Sequence, residues 1–154
     1  MGATAVTTAP TTGHVGVNVT DLDRSVAFYR AALGLEVLNE SHETGRRFAF
    51  LGHDGTLLIT LWEQSEGRFP TGLPGLHHLA FRVPDMAAVR RAEQALRELG
   101  ATFLHEGVVA HGEGAGSGGV FFTDPDGIRL EIYAPSGAED RPAPSGTAPT
   151  CGFF

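Results

Sequence analysis

Two histidines and a glutamate are the residues of this chain whose types and spacing best suit chemistry. His14 opens the run His14-Val15-Gly16-Val17-Asn18-Val19-Thr20-Asp21, and His78 opens His78-Leu79-Ala80-Phe81-Arg82-Val83-Pro84-Asp85. Both runs place Val five residues after the His and Asp seven after it. Glu131 sits between Leu130 and Ile132 in a strand-like run. Imidazole nitrogen and carboxylate oxygen are donors that Fe(II), Mn(II), Ni(II) and Zn(II) accept, and two His with one carboxylate is the non-haem Fe(II) pattern. Taken singly, a strand Glu ordinarily faces solvent and a lone His is ordinarily a hydrogen-bonded residue. The repeat changes the weighing, because equivalent positions related by a pseudo-two-fold would bring His14 and His78 together. A Glu131 that faced inward would need a partner.

Side chains alternate along strands, so each candidate ligand has neighbours on its own face. Asn18 shares the face of His14, Arg82 that of His78, and Arg129 and Tyr133 that of Glu131. These four are candidate pocket groups, with Tyr133 a candidate catalytic phenol. Small Gly16 and Ala80 leave room beside the ligands. His111 opens a glycine-rich stretch ending at Gly119. The stretch has no Lys and precedes no helix, which excludes a phosphate-binding loop.

The elements that must position these residues follow from the same repeat. Each His begins a short β-branched or apolar strand, and each Asp stands at a helix N-cap. Asp23 to Leu33 and Met86 to Leu99 carry apolar residues on one face, with Gly34 and Gly100 as stops. Strands are expected at Leu35 to Asn39 and Thr102 to His105. Each half then closes in a hairpin, turning at His53-Asp54-Gly55 and at Pro125-Asp126-Gly127. A Gly/Pro-rich segment joins the halves. A gapless match of the two turns sets Ile59 opposite Glu131, and a slip of one residue sets Thr60 there.

This βαβββ pair, with a His opening each first strand and Asp124-Pro125-Asp126-Gly127 four residues before Glu131, resembles the vicinal-oxygen-chelate superfamily. That superfamily includes glyoxalases, extradiol dioxygenases, fosfomycin-resistance transferases and bleomycin-binding proteins. The resemblance covers roughly residues 12–135. It implies an α+β fold of paired βαβββ modules forming one curved, U-shaped mixed sheet around a metal site. Module one is expected at 12–63, a linker at 64–75 and module two at 76–135, with a disordered N-terminal tail at 1–11 and a flexible tail at 136–154. The resemblance also implies one divalent metal held by His14, His78 and Glu131, Fe(II) first, with Mn(II), Ni(II) or Zn(II) as alternatives. Neither Ile59 nor Thr60 supplies the carboxylate that glyoxalases and related epimerases carry as a fourth ligand, though Glu63 lies just beyond. His111 matches a catalytic His of the extradiol enzymes. Phe121 stands where they carry a Tyr, which makes it a candidate substrate contact rather than an acid. The expected activity is a mononuclear Fe(II) dioxygenase on a small phenolic or enolisable metabolite. The alternatives are a redox-inert metal lyase, isomerase or thiol transferase, and a drug-binding protein. Relatives often dimerise, so a homodimer is expected.

Bulk properties narrow the partners. A chain of 154 residues with net charge −7 fits one domain and repels nucleic-acid phosphates and anionic membranes. All 11 basic residues are Arg, so no lysine can act as a base or form a Schiff base. The longest apolar runs fall short of a membrane span, and the single cysteine, Cys151, cannot form an internal disulfide. The expected location is the cytoplasm, and the expected partner is a small-molecule substrate. The last residues, Cys151-Gly152-Phe153-Phe154, have the outline of a prenylation box, but Gly152 and the lack of basic residues upstream favour a mobile tail with an exposed thiol.

Overall fold

Each half of the chain begins with a short strand that runs into a capped helix. In the computed structural model, which describes Gly2 and residues 8–153, β1 (Val15–Asn18) leads to α1 (Leu22–Leu33), and β5 (Leu79–Arg82) leads to α2 (Met86–Glu98). The Asp21 side chain accepts from Arg24 N at 3.0 Å, and Asp85 accepts from Ala88 N at 2.8 Å. Each bond satisfies one of the four helix N–H groups that lack an intrahelical partner. Gly34 ends α1 in the left-handed conformation at φ 66°. The expected disordered segment at residues 1–11 lies mostly outside the described residues.

Three strands complete each half: β2 (Glu36–Ser41), β3 (Phe48–His53) and β4 (Thr56–Trp62), then β6 (Val109–Ala110), β7 (Gly118–Thr123) and β8 (Arg129–Ala134). Asp54 and Gly55 both take positive φ, 48° and 74°, as a two-residue hairpin turn demands. The strand orders are β1-β4-β3-β2 and β5-β8-β7-β6, so the paired βαβββ modules and the α+β class are as expected. Hydrogen bonding divides the strands into two four-stranded mixed sheets, with β1 parallel to β4 and β5 parallel to β8. A single apolar core spans both modules and includes Leu22, Tyr29, Leu61, Leu96, Leu130 and Ile132.

Two segments differ from their sequence-based expectation. Thr102 to His105 is not a regular strand. It meets β7 through a single bridge, Phe103 to Phe122, and through backbone bonds from Leu104 N to Phe121 O and from Thr123 N to Thr102 O. Residues 136–153, read from composition as a flexible tail, lie against module two instead. Ala138 N donates to Gly116 O, Ala110 N to Pro142 O, Glu113 N to Gly146 O, and Thr150 N to His111 O. A short 3₁₀ turn, Thr150–Gly152, ends the segment. Its Pro-rich composition argued against a helix or a strand. It did not argue against a partner, and the edge of the two-residue β6 supplies one.

The turn before β8 fastens the modules to each other. Asp126 accepts from Thr20 N at 3.0 Å, from the Thr20 hydroxyl, and from Arg24 Nη2 at 2.9 Å. Asp124 is buried; its Oδ1 accepts from Asp126 N and Ile128 N, and its Oδ2 accepts from the Tyr29 hydroxyl at 2.8 Å. Burial raises the Asp124 carboxyl above its ordinary pKa, and the three donors partly reverse this. Burial and the neighbouring Asp124 push the Tyr29 phenol well up. Removing the hydroxyl leaves a buried carboxylate short of a donor. Tyr29→Phe is therefore expected to destabilise the protein by about 1–3 kcal/mol in urea unfolding, with Asp124→Asn costing less because an amide can still bond both sides.

Candidate metal centre

The register of the two sheets fixes which residues are equivalent. Ala80 pairs with Glu131 in module two, and Gly16 pairs with Thr60 in module one. Gly16 and Ala80 each stand two residues after a repeat His, so Thr60, not Ile59, is the counterpart of Glu131. The gapless alignment fails because the β3–β4 register shifts between Leu51 and Gly52. Ile59 is wholly buried in the core. The Thr60 hydroxyl accepts from Trp62 Nε1 at 2.9 Å. Glu63 is also committed elsewhere: its Oε2 accepts from Leu22 N at 2.7 Å and from Arg47 Nε at 3.1 Å. It caps α1 and makes no bond toward Glu131.

Glu131 lies in β8 between β5 and β7, directly across from Phe121, and is 2% exposed. A carboxylate buried to this degree is costly unless paired. Its two oxygens have different partners. Oε1 accepts a short hydrogen bond from His111 Nε2, and Oε2 faces His78 Nε2 at 3.8 Å. With Glu131 ionised, His111 Nε2 carries the proton, and His111 Nδ1 then accepts from the Ser117 hydroxyl at 2.9 Å. His78 Nδ1 lies 2.8 Å from His77 Nδ1, which orients the ring so that Nε2 points to Glu131. Burial lowers the pKa of His78, and Glu131 opposes that shift. The neutral imidazole that a metal requires is therefore favoured at His78.

Among the described residues, the group able to hold a metal comprises His78, Glu131 and Cys151, whose ligand atoms all lie within 4.8 Å of one another. The donor set of imidazole nitrogen, carboxylate oxygen and thiol sulfur suits a divalent transition metal. His14 is exposed and does not belong to this group. It borders a separate cleft of about 330 Å³ that also touches Ala80 and Arg82. Cys151, expected on a mobile tail, is half-buried. Its thiol is held above its ordinary pKa by burial and by the Glu131 carboxylate.

The other candidates surround the group unevenly. Phe121 is fully buried, and its ring meets those of His111 and His105 edge-on at 6.2 and 5.6 Å. Tyr133 is half-buried, with its ring 5.1 Å from that of His111. Arg129 is half-buried at the start of β8, Arg82 is exposed opposite Tyr133, and Asn18 is exposed opposite Trp62. Asn18 thus lies on module one, along another cavity of about 340 Å³. Backbone contact explains part of the glycine-rich stretch. A Cβ at Gly119 would fall 1.9 Å from Ile132 O, and one at Gly118 would fall 2.4 Å from Val109 O.

The profile of the Glyoxalase/Bleomycin resistance protein/Dioxygenase superfamily matches residues 11–132. The chain belongs to that superfamily. Within it, a catechol-2,3-dioxygenase of Bacillus subtilis is 29% identical over 133 residues, which is 84% of this chain and 41% of the relative. The chain thus spans about two fifths of that enzyme's length. An ethylmalonyl-CoA/methylmalonyl-CoA epimerase of Cereibacter sphaeroides is 32% identical, over 65% of this chain and 81% of the relative. Among solved structures, a glyoxylase/bleomycin resistance protein/dioxygenase domain from Frankia sp. EAN1pec superposes with a TM-score of 0.70 at 25% identity, covering 83% of this chain and 99% of that one. A mutant fosfomycin resistance protein, FosX, of Listeria monocytogenes, complexed with Mn(II) and a dihydroxypropylphosphonic acid, has the same fold. Its TM-score is 0.64 at 20% identity, covering 84% of this chain and 95% of that one. No helix among the described residues of this superfamily member is long and apolar enough to cross a membrane.

The different partners of the two Glu131 oxygens generate a test. Glu131→Gln keeps an acceptor for His111 but removes the buried charge. The metal-free variant is expected to melt at or above the metal-free parent. The parent should gain about 2.7 kcal/mol at a metal concentration a hundred times its Kd, and the variant should gain nearly nothing. Calorimetric melts with and without Mn(II) check both outcomes.

Proposed function

We propose that the protein is a mononuclear non-haem Fe(II) dioxygenase acting on a small phenolic or enolisable metabolite that chelates through two oxygens. One observation carries this reading: the position equivalent to Glu131 is Thr60, so the paired modules supply one carboxylate at this level, not two. Glyoxalases and related epimerases, which the sequence resembles, carry a second carboxylate at that position as a ligand. Its absence leaves coordination positions for substrate and O₂. The similarity to a catechol-2,3-dioxygenase over 84% of this chain supports the same choice. Bound here, the ion supplies Lewis-acid activation of substrate hydroxyls and electrons for O₂.

The remaining roles fall to the chain's own side chains. His78 Nε2 and Glu131 Oε2 are the ligands contributed together by one module. His111 holds Glu131 Oε1 in place and is the group that carries a proton beside the site. The phenol of Tyr133, whose ring lies tilted 5.1 Å from that of His111, is a candidate acid. Phe121 cannot exchange a proton, so it serves as an apolar wall. Arg129 and Arg82 are placed to attract an anionic substrate, and Asn18 to bind it from module one. His14, exposed and outside the intrachain group, reaches the site from a second copy of the chain in a homodimer. The half-buried aromatic cluster of Phe48, Phe50 and Trp62 on module one then faces the substrate.

A second reading is a redox-inert lyase, isomerase or thiol transferase, favoured by the Mn(II)-bound FosX neighbour. Anaerobic loading with Fe(II), followed by oxygen-electrode assays on catechols and hydroxyquinones, separates the two. The dioxygenase reading expects uptake that needs both Fe(II) and substrate. Turnover under argon with Mn(II) or Ni(II) would contradict it. Hybrid dimers of His14→Ala and Glu131→Ala chains test the shared site. Each variant's own homodimer should lose the metal, and in the hybrid one of the two sites should be restored, giving close to half the parental metal content per dimer; full metal retention by the His14→Ala homodimer would contradict the shared site.

A further inference from the structure

Residues 136–153 run along module two and bring Cys151 beside the candidate metal centre. From Pro135 the segment turns back and is fixed at four points: Ala138 N to Gly116 O, Ala110 N to Pro142 O, Glu113 N to Gly146 O, and Thr150 N to His111 O. The last anchor is the tightest. Thr150 is fully buried, and its hydroxyl donates to Ala110 O at 2.6 Å while its N–H bonds His111 O at 2.8 Å. The same two residues, Ala110 and His111, thus hold the start of the 3₁₀ turn, and His111 also holds Glu131. The next residue is Cys151, whose Sγ lies within 4.8 Å of the donor atoms of His78 and Glu131.

Glu131 supplies an independent indication of a ligand. It is more than nine-tenths buried, yet among the described residues the partner of its Oε2 is His78 Nε2 at 3.8 Å, beyond hydrogen-bond reach. A nearly buried carboxylate whose second oxygen faces an imidazole nitrogen at 3.8 Å, with a sulfur beside both, is an arrangement that a divalent cation would satisfy. We propose that Cys151 is a metal ligand, delivered by the C-terminal segment, so that one chain contributes His78 Nε2, Glu131 Oε2 and Cys151 Sγ to its divalent metal. This rests on the reading of the site as a metal centre and adds a residue to it. The thiolate provides the donor that Thr60 cannot. On binding, the thiol gives up its proton to solvent and the sulfur lone pair forms the bond to the metal, with no change of oxidation state. Because its ligand comes from a strap and not from a strand, this position is the one a chelating substrate displaces. A thiolate also shifts preference toward softer ions such as Zn(II) or Co(II) over Mn(II).

The test uses the full chain and Co(II), whose thiolate complexes absorb in the near ultraviolet. The metal-free protein is titrated with Co(II) and followed by absorbance and by calorimetry. Alkylation of the thiol by iodoacetamide is timed with and without the metal. Cys151 is the only cysteine, so the alkylation rate reports this residue alone. The proposal expects a charge-transfer band, slower alkylation in the presence of Co(II), and loss of the band in Cys151→Ser with Co(II) bound about tenfold more weakly. It also expects Glu131→Gln to weaken binding and the band together. Stoichiometric Co(II) binding with no band and unchanged alkylation would overturn the thiol ligand and leave the His78–Glu131 centre standing. A band that survives Glu131→Gln at full affinity would place the thiolate complex elsewhere and also overturn it. No Co(II) binding by the parent protein would overturn both readings.

Discussion

A carboxylate in the middle of a sheet is the constraint on which this structure turns. Glu131 sits on β8, flanked by β5 on one side and β7 on the other, with Phe121 across from it and Leu130 and Ile132 in the core beside it. Nothing in strand formation asks for a charge there, and burial of one is costly. The surroundings are arranged around that cost. His111 reaches in from the end of the short β6 to bond one oxygen, His78 just before β5 faces the other, and the C-terminal segment brings Cys151 beside them. The close approach of β7 to β8 at Gly119, and of Gly118 to Val109, brings the His111 segment near enough to do so.

The two modules share a backbone plan and divide the work. Both run strand, capped helix and three strands, and both turn on Asp-Gly. Module two carries Glu131 and His111, with Cys151 on the segment that follows it, while in module one Thr60 stands at the counterpart of Glu131 beside an aromatic cluster. The second turn also has a structural task that the first lacks. Asp124 and Asp126 tie it to Tyr29, Thr20 and Arg24 of module one, so the hairpin that positions Glu131 is fastened to the opposite half of the chain. Loss of that clamp would loosen the turn that leads into the strand carrying Glu131.

Much of this was legible in the sequence because it depends on local signals. Asp caps, Gly stops, Asp-Gly turns and the strand-opening histidines are each fixed by a few neighbouring residues, and the helices and most strands fall close to their expected places. What was not legible depends on contacts remote in sequence. A shift in the β3–β4 register moves the counterpart of Glu131 from Ile59 to Thr60. Glu63 proves to be a cap for α1 because Leu22 N and Arg47 lie beside it, which no spacing rule reveals. Cys151 was expected on a mobile tail, because a Pro-rich segment without periodicity gives no sign of the β6 edge it lies against. His14 stands exposed and outside the group that holds Glu131, although the repeat places it as the counterpart of His78.

The central claim is that His78 and Glu131 hold a metal. A crystal structure of the metal-loaded protein, with anomalous diffraction recorded above and below the absorption edge of the ion, tests it most directly. The account predicts a single anomalous peak within about 2.0–2.2 Å of His78 Nε2 and Glu131 Oε2, on the side of Glu131 away from His111. A structure from fully loaded crystals in which those two atoms have no peak between them, or in which the metal sits on other residues, would contradict it.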